Sequence, residues 1–142
     1  MINDNSDYKF EIGKGIVLRE GTDITLIATG LMVGYTLEAA EMLAKDGISA
    51  KVINIHTIKP LDTDLVVSAA KETGKVVTVE EHSVIGGLGG AVCEALSEQC
   101  PVPVKRIGVN DEYGQSGPAV ELLHHYKLDA EGIYGQIKEF LV

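Results

Sequence analysis

Several sequence features are scarce or missing in this chain. It has no tryptophan, two cysteines and no apolar run close to the roughly 20 residues that a membrane-spanning helix needs. The N-terminus has neither the basic start nor the apolar stretch of a secretory signal, so we expect a cytoplasmic protein. No histidine stands at metal-ligand spacing from Cys93 or Cys100. We therefore expect both cysteines to be reduced helix residues, packed or half exposed.

Positive charge is also scarce. Twelve Lys and Arg against 21 Asp and Glu give the chain a net charge of −9. This charge repels nucleic acid and anionic lipid at long range, which excludes polyanion binding as a function. A small phosphorylated ligand is still compatible with it, because a helix N-terminus can bind one locally.

The order of short apolar segments predicts the fold. With 142 residues, 45% of them hydrophobic, the chain fits one globular domain. Helical patterns separate its later β-branched segments, which predicts a three-layer α/β/α fold with a mostly parallel five-stranded sheet. The connection between the first two strands fits only a hairpin, so we expect one antiparallel edge strand. The predicted strands are residues 16–19, 24–28, 50–55, 76–79 and 104–109.

Helix signals lie between and after these strands. Asp62 and Asp129 stand where N-caps belong, and Gly47 and Gly74 where helices end. Lys105 and Arg106 indicate that the last strand lies near a sheet edge, where charge discourages unwanted pairing. The helices are predicted at residues 35–46, 62–74, 88–99 and 131–141, with a short one opened by residues 116–118.

Candidate site residues gather at one edge of the predicted sheet. In open parallel sheets, ligands and partners meet the loops that follow the carboxyl ends of the strands. There, Gly86-Gly87-Leu88-Gly89-Gly90 opens a helix, so free amides and the helix dipole can hold an anion. The run matches neither the dinucleotide fingerprint nor a P-loop. Close packing of the helix on the sheet or on a neighbouring domain explains these glycines equally well.

Histidines and carboxylates provide a second set of candidates. Glu80, Glu81 and His82 can form an acid/base cluster, since a carboxylate fixes the tautomer of a neighbouring imidazole. The alternative is a buried or interfacial hydrogen-bonding histidine, and His56 has the same two interpretations. The adjacent histidines 124 and 125 are expected on a helix surface. Neither a nucleophile elbow nor a metal-binding pattern occurs in the sequence.

Three motifs at this edge resemble transketolase C-terminal domains. They are Ile-His-Thr-Ile-Lys-Pro-Leu-Asp (55–62), Val-Glu-Glu-His-Ser-Val-Ile-Gly-Gly-Leu-Gly (79–89) and Asp-Glu-Tyr-Gly-Gln-Ser-Gly (111–117). Their order and spacing agree over residues 12–141. The 1-deoxyxylulose-5-phosphate synthases and the beta subunits of 2-oxo acid dehydrogenases share parts of the pattern. Glu-Glu-His-Ser and Gly-Gln-Ser-Gly favour transketolase, whereas residues 128–133 are also similar to the synthases.

The resemblance implies a supporting domain of a larger enzyme. Residues 12–142 would be the C-terminal domain, and residues 1–11 the remnant of a linker from a pyrimidine-binding domain. In the family, thiamine diphosphate and Mg²⁺ lie between that domain and a diphosphate-binding domain with a Gly-Asp-Gly motif, which this sequence lacks. The intact homodimer would transfer a two-carbon ketol unit between sugar phosphates of the pentose phosphate pathway. We therefore expect no catalytic, cofactor-binding or metal-binding residue in this chain, and no activity of the chain alone.

Six residues remain as candidates for an interface or for an anion-binding edge. The interface would meet the absent domains or a second subunit. The alternatives are a synthase C-terminal domain, a free-standing regulatory domain that binds phosphate or nucleotide, and a docking module for a partner protein. The six residues are Glu81, His82, Gly86, Gly87, Gly89 and Gly90.

Overall fold

A mixed five-stranded sheet forms the centre of the protein. The computed structural model describes residues 13–56, 58, 60–83, 87–109 and 127–142. In chain order, its elements are β1 (Ile16–Arg19), β2 (Ile24–Ala28), α1 (Met32–Lys45), β3 (Ala50–Asn54), α2 (Thr63–Thr73), β4 (Val76–Ser83), α3 (Leu88–Gln99), β5 (Val104–Val109) and α4 (Ala130–Leu141). The strand order is β1-β3-β2-β4-β5. Only β1 is antiparallel to its neighbour, which confirms the predicted fold with one antiparallel edge strand.

The strands bury both of their faces. Because successive side chains of a strand point to opposite sides, Leu26 joins the cluster formed with α1 and α4, whereas Ile27 joins the cluster formed with α2 and α3. Both side chains are fully buried, and each such burial contributes about 1.5–3 kcal/mol. The helices therefore form two layers, one on each face of the sheet. None of the helices in the described residues is long and apolar enough to cross a bilayer.

The predicted hairpin between β1 and β2 is wrong, because β1 pairs with β3. The connection crosses the start of β3 instead of turning back. The Asp23 amide donates to the Ser49 carbonyl at 2.8 Å, and the Ser49 amide donates to the Asp23 carboxylate at 2.7 Å. Gly21 lies so close to β3 that a Cβ there would be 2.2 Å from the carbonyl carbon of Ala50. The short connection thus spans one intervening strand.

Element ends follow the predicted capping residues, with shifted boundaries. Asp62 accepts a hydrogen bond from the amide of Leu65, and Asp129 accepts one from the amide of Gly132. Gly47 and Gly74 end α1 and α2 with φ of 81° and 79°, which glycine adopts without strain. β5 is an edge strand, as predicted. Helix α1 begins at residue 32 instead of 35, and the short helix predicted at residues 116–118 lies outside the described residues.

A buried lysine joins three elements at the amino ends of the parallel strands. Lys51 of β3 has a side chain only 8% exposed, and its Nζ donates to Glu20 at 2.7 Å and to Glu72 at 2.9 Å. The hydrogen bond to Glu20, followed by the one to Glu72, raises the pKa of Lys51 above its ordinary value. The pairing connects the β1–β2 connection and the end of α2 to the sheet.

Candidate functional site

The candidate site is the side of the sheet at which β2, β3 and β4 end, which we call the carboxyl edge. Strand β2 leads into α1 on one face, and its neighbour β4 leads into α3 on the other. The two connections therefore diverge between adjacent strands. In open α/β sheets, this switch point is where ligands and partners bind.

Glu80 in β4 holds the start of α3. Its side chain is buried, with 1% exposure, and its two oxygens each accept an amide hydrogen bond at 2.8 Å, Oε1 from Leu88 and Oε2 from Gly89. The N-cap position, Gly87, has no side chain that can do this. The carboxylate also lies at the positive end of the helix dipole, which favours its negative charge. A protein carboxylate thus takes the place that the sequence analysis offered to an anion.

This cap was not predicted from the sequence. The predicted β4 ends at residue 79, whereas the strand continues to Ser83, so Glu80, Glu81 and His82 are strand residues. The available signal was an acidic residue shortly before a helix whose own N-terminus offers only glycines. Such a helix needs acceptors from elsewhere in the chain for its free amides.

The glycines of α3 differ in what surrounds them. A Cβ on Gly89 would lie 2.9 Å from the Arg106 side chain and 3.0 Å from Oγ1 of Thr78. Close packing of the helix on the sheet therefore explains Gly89. A Cβ on Gly90, in the same turn, would meet nothing within 4 Å. Gly86 lies outside the described residues.

The other candidate residues have different surroundings. Glu81 is partly buried, and its Oε1 has no hydrogen-bond partner among the described residues. The side chain of His82 is not among those that the structure describes, and histidines 124 and 125 lie outside the described residues. His56 is exposed, so the buried alternative is wrong for it, and the interfacial alternative stays a prediction.

No metal site emerges from the part of the chain that the structure describes. There, no three His, Cys, Asp or Glu side chains are grouped so that they could hold a metal ion. Cys93 and Cys100 are free and partly buried, as expected from the sequence.

An open surface of small and apolar residues covers part of the carboxyl edge. Leu31, just before α1, is 47% exposed. Gly34 in the first turn of α1 is exposed, and a Cβ on it would meet nothing within 4 Å. A helical glycine costs about 1 kcal/mol relative to alanine. Neither packing nor backbone geometry within the described chain requires glycine at position 34 or 90.

The N-terminal part of the chain enters the fold at the same edge. Ile16 begins β1 and pairs with Asn54, the last residue of β3. Since β1 runs antiparallel to β3, the residues just before it lie at the carboxyl ends of the parallel strands. The amide of Gly15 donates there to the Asp62 carboxylate at 2.8 Å. A polypeptide preceding this chain would therefore join it at the carboxyl edge.

Comparisons with known proteins point to one family. The family model for the transketolase C-terminal domain matches residues 13–133. A 6-deoxy-6-sulfo-D-fructose transketolase subunit of Clostridium sp. (strain MSTE9) is 49% identical over 130 residues, covering 92% of this chain and 40% of that protein. The 1-deoxy-D-xylulose-5-phosphate synthase of Heliobacterium modesticaldum is 46% identical over 123 residues, covering 86% of this chain and 19% of that protein.

A solved structure agrees with this match. It is described as a split gene transketolase, inactive beta4 tetramer, and superimposes with a TM-score of 0.88 at 48% identity. The match covers 96% of this chain and 45% of that one. The present chain thus spans less than half the length of each of these three proteins.

Proposed function

We propose, since the chain belongs to the family of transketolase C-terminal domains, that it serves as the C-terminal domain of a thiamine-diphosphate-dependent transketolase. The assembled enzyme would move a two-carbon ketol unit between sugar phosphates. Residues 12–142 would form the domain, and residues 1–11 would belong to a linker from the pyrimidine-binding domain. The remaining partners would be the diphosphate-binding domain and a second copy of the enzyme. A cytoplasmic location stays a prediction.

The carboxyl edge is the proposed contact surface for these partners. The observation that carries the proposal is that the entering chain, the exposed residues Leu31 and Gly34, and the partly buried Gly90 all lie at this one edge. Glycines without an intramolecular reason allow another backbone to approach closely. In relatives of which this chain covers 40–45%, more than half of the polypeptide is available to cover such a surface.

Two of the predicted interface residues have properties that suit a contact with another domain. Glu81 brings a buried carboxylate oxygen without a hydrogen-bond partner among the described residues, which a donor from a partner can satisfy. Gly87, partly buried, begins α3. We retain His82 and Gly86 in the proposed interface on their position in the sequence. Gly89 contributes through its packing on Arg106 and Thr78, not through direct contact.

The described residues do not fit thiamine diphosphate or its metal ion. Two of the amides that could approach a diphosphate at the start of α3 are bonded to Glu80. The cofactor and Mg²⁺ are therefore assigned to the complementary domains, and the role proposed for this chain is to support those domains. We expect the chain alone to be inactive.

Reconstitution tests the proposed activity. The 142-residue chain, alone and combined with a complementary N-terminal transketolase section, is assayed with xylulose 5-phosphate, ribose 5-phosphate, thiamine diphosphate and Mg²⁺. We expect ketol transfer only from the combination. Turnover by the chain alone would contradict the supporting role, and no transfer from the combination would contradict the transketolase assignment.

A matched pair of glycine variants tests the proposed interface. Gly34 and Gly135 are both helical, and a Cβ on either meets nothing within 4 Å, but only Gly34 lies at the carboxyl edge. Either change to alanine should stabilise the chain alone by up to about 1 kcal/mol. Only Gly34→Ala should weaken association with the complementary section. Equal association of both variants would exclude this part of the edge from the interface.

The second candidate is the C-terminal domain of a 1-deoxyxylulose-5-phosphate synthase. The 46% identity to the Heliobacterium enzyme favours it. Combining the chain with an N-terminal section of such a synthase, and assaying formation of 1-deoxy-D-xylulose 5-phosphate, separates the two. Synthase activity without ketol transfer would replace the transketolase proposal.

The third candidate, a free-standing domain that binds phosphate or nucleotide, has less support, because Glu80 occupies the α3 amides. Calorimetry with inorganic phosphate, nucleotides and sugar phosphates tests it. Saturable binding well tighter than millimolar by this chain would favour the regulatory domain.

A further inference from the structure

We infer that Asp62 is a positioning residue, which fixes the polypeptide entering β1 to the start of α2 and so sets the direction from which a preceding domain reaches the carboxyl edge. The inference rests on the proposed function, because it is that proposal which supplies a preceding domain. We call the two hydrogen bonds that the Asp62 carboxylate accepts the Asp62 bridge.

The Asp62 bridge consists of two hydrogen bonds to one carboxylate. Oδ1 accepts from the amide of Leu65 at 3.3 Å, which caps α2, and Oδ2 accepts from the amide of Gly15 at 2.8 Å. The second bond joins residues 47 positions apart in the chain. Capping α2 requires only one oxygen, so the cap alone does not explain both bonds. The aspartate therefore connects the entering polypeptide to a helix of the core.

Packing around Gly15 also fixes the entering polypeptide. A Cβ on Gly15 would lie 2.7 Å from Cδ1 of Ile55 and 2.9 Å from Cδ2 of Leu65. Two residues earlier, Gly13 has a φ of 86° and lies against Pro60, whose Cγ would be 3.3 Å from an added Cβ. The positive φ bends the backbone in a way that other residues rarely adopt. The entering polypeptide thus follows one path across residues 60–65.

This geometry gives Asp62 a mechanical role. Because β1 is a short edge strand, contacts at its start help to fix its position. A preceding domain would be connected through residues 1–12 to this point, so the Asp62 bridge fixes where the linker meets the described fold. Loosening the Asp62 bridge should leave the core folded while broadening the range of directions from which that domain approaches the edge.

The experiment compares Asp62→Asn with Asp129→Asn. Asparagine still caps a helix through its carbonyl oxygen, so at Asp129 the cap on Gly132 should survive. At Asp62, the side-chain NH₂ would face one of the two donors, Gly15 or Leu65, and one bond of the Asp62 bridge would be lost. The first measurement is amide hydrogen exchange in the 142-residue chain, comparing Gly15 and Leu65 with Leu26 of the buried strand β2.

In Asp62→Asn we expect Gly15 or Leu65, whichever amide faces the NH₂ group, to exchange roughly tenfold faster or more relative to Leu26, because a hydrogen bond to a charged group is lost. Asp129→Asn should leave both ratios unchanged. The second measurement is the affinity for the complementary N-terminal section. We expect it to fall roughly three- to tenfold in Asp62→Asn at equal folded fraction, and to stay constant in Asp129→Asn.

Unchanged exchange of both Gly15 and Leu65 relative to Leu26 in Asp62→Asn would overturn the bridge itself. Faster exchange at either amide with unchanged affinity would overturn the positioning role. Failure of the proposed function gives a different result. In that case the wild-type assembly would show no ketol transfer, while the exchange measurement would still report on the Asp62 bridge.

Discussion

Replacing Glu80 tests how α3 is held at the carboxyl edge. In Glu80→Gln, the carbonyl oxygen can still accept one amide, while the NH₂ group faces the other. One buried amide is then unsatisfied, which costs about 1–3 kcal/mol. In Glu80→Ala, the amides of Leu88 and Gly89 both lose their acceptor, and the expected cost rises to about 2–6 kcal/mol. Since domains of this size are stable by only about 5–15 kcal/mol, the alanine variant should lose a large fraction of its stability.

The neighbouring residue provides the control. Glu81→Gln makes the same chemical change one position along β4, at a carboxylate whose Oε1 accepts no hydrogen bond from the described residues. We expect it to change the stability of the chain by less than about 1 kcal/mol. Urea unfolding followed by circular dichroism measures all three variants, and amide exchange at Leu88 and Gly89 localises the effect.

Two outcomes would refute the reasoning about Glu80. One is equal destabilisation by Glu80→Gln and Glu81→Gln, which would mean that neither carboxylate has a special role. The other is a loss of stability in Glu80→Gln without faster exchange at Leu88 or Gly89. In that case the effect would arise elsewhere than in the cap of α3.

Two further predictions concern a buried charge and a close contact. The pKa of Lys51 is raised, so the stability it contributes is complete below its unfolded pKa of about 10.4 and is lost as pH rises through the higher folded pKa. The urea midpoint of unfolding should therefore fall more steeply with pH for wild type than for Lys51→Met. The test range is about pH 9 to 12, in which lysine titrates. Gly89→Ala should destabilise the chain by about 1–2 kcal/mol through crowding against Arg106, whereas Gly90→Ala should stabilise it by up to about 1 kcal/mol. Thermal unfolding that ranks the glycine variants in the opposite order would contradict the packing at α3.

Much of the fold could be predicted from local signals in the sequence. Apolar periodicity and the capping residues Asp62, Asp129, Gly47 and Gly74 identified the four helices within the described residues, because each signal acts within a few positions. The pairing of β1 could not be predicted in this way. A short connection normally joins neighbouring strands, whereas here β1 pairs with β3, and hydrogen bonds of residues 22 and 23 with Ser49 hold the connection where it crosses that strand.

The carboxyl edge could be predicted from the sequence, but its contacts could not. The parallel order of β2, β3 and β4 brings their carboxyl ends to one edge, as the alternation of elements indicated. Glu80 bonds to amides eight and nine residues later in the chain. This pairing depends on how closely the start of α3 approaches β4, which the sequence pattern does not show. The bond from Gly15 to Asp62 likewise depends on tertiary structure.

Two of the three motifs behind the family resemblance share one physical device. In residues 55–62, Asp62 bonds the amides of Leu65 and Gly15, and in residues 79–89, Glu80 bonds the amides of Leu88 and Gly89. Each carboxylate satisfies at least one free donor at a helix start and lies near the positive end of that helix dipole. A phosphate site needs those donors to be available. The two carboxylates therefore support the proposal that the carboxyl edge meets a neighbouring domain and not a small anion.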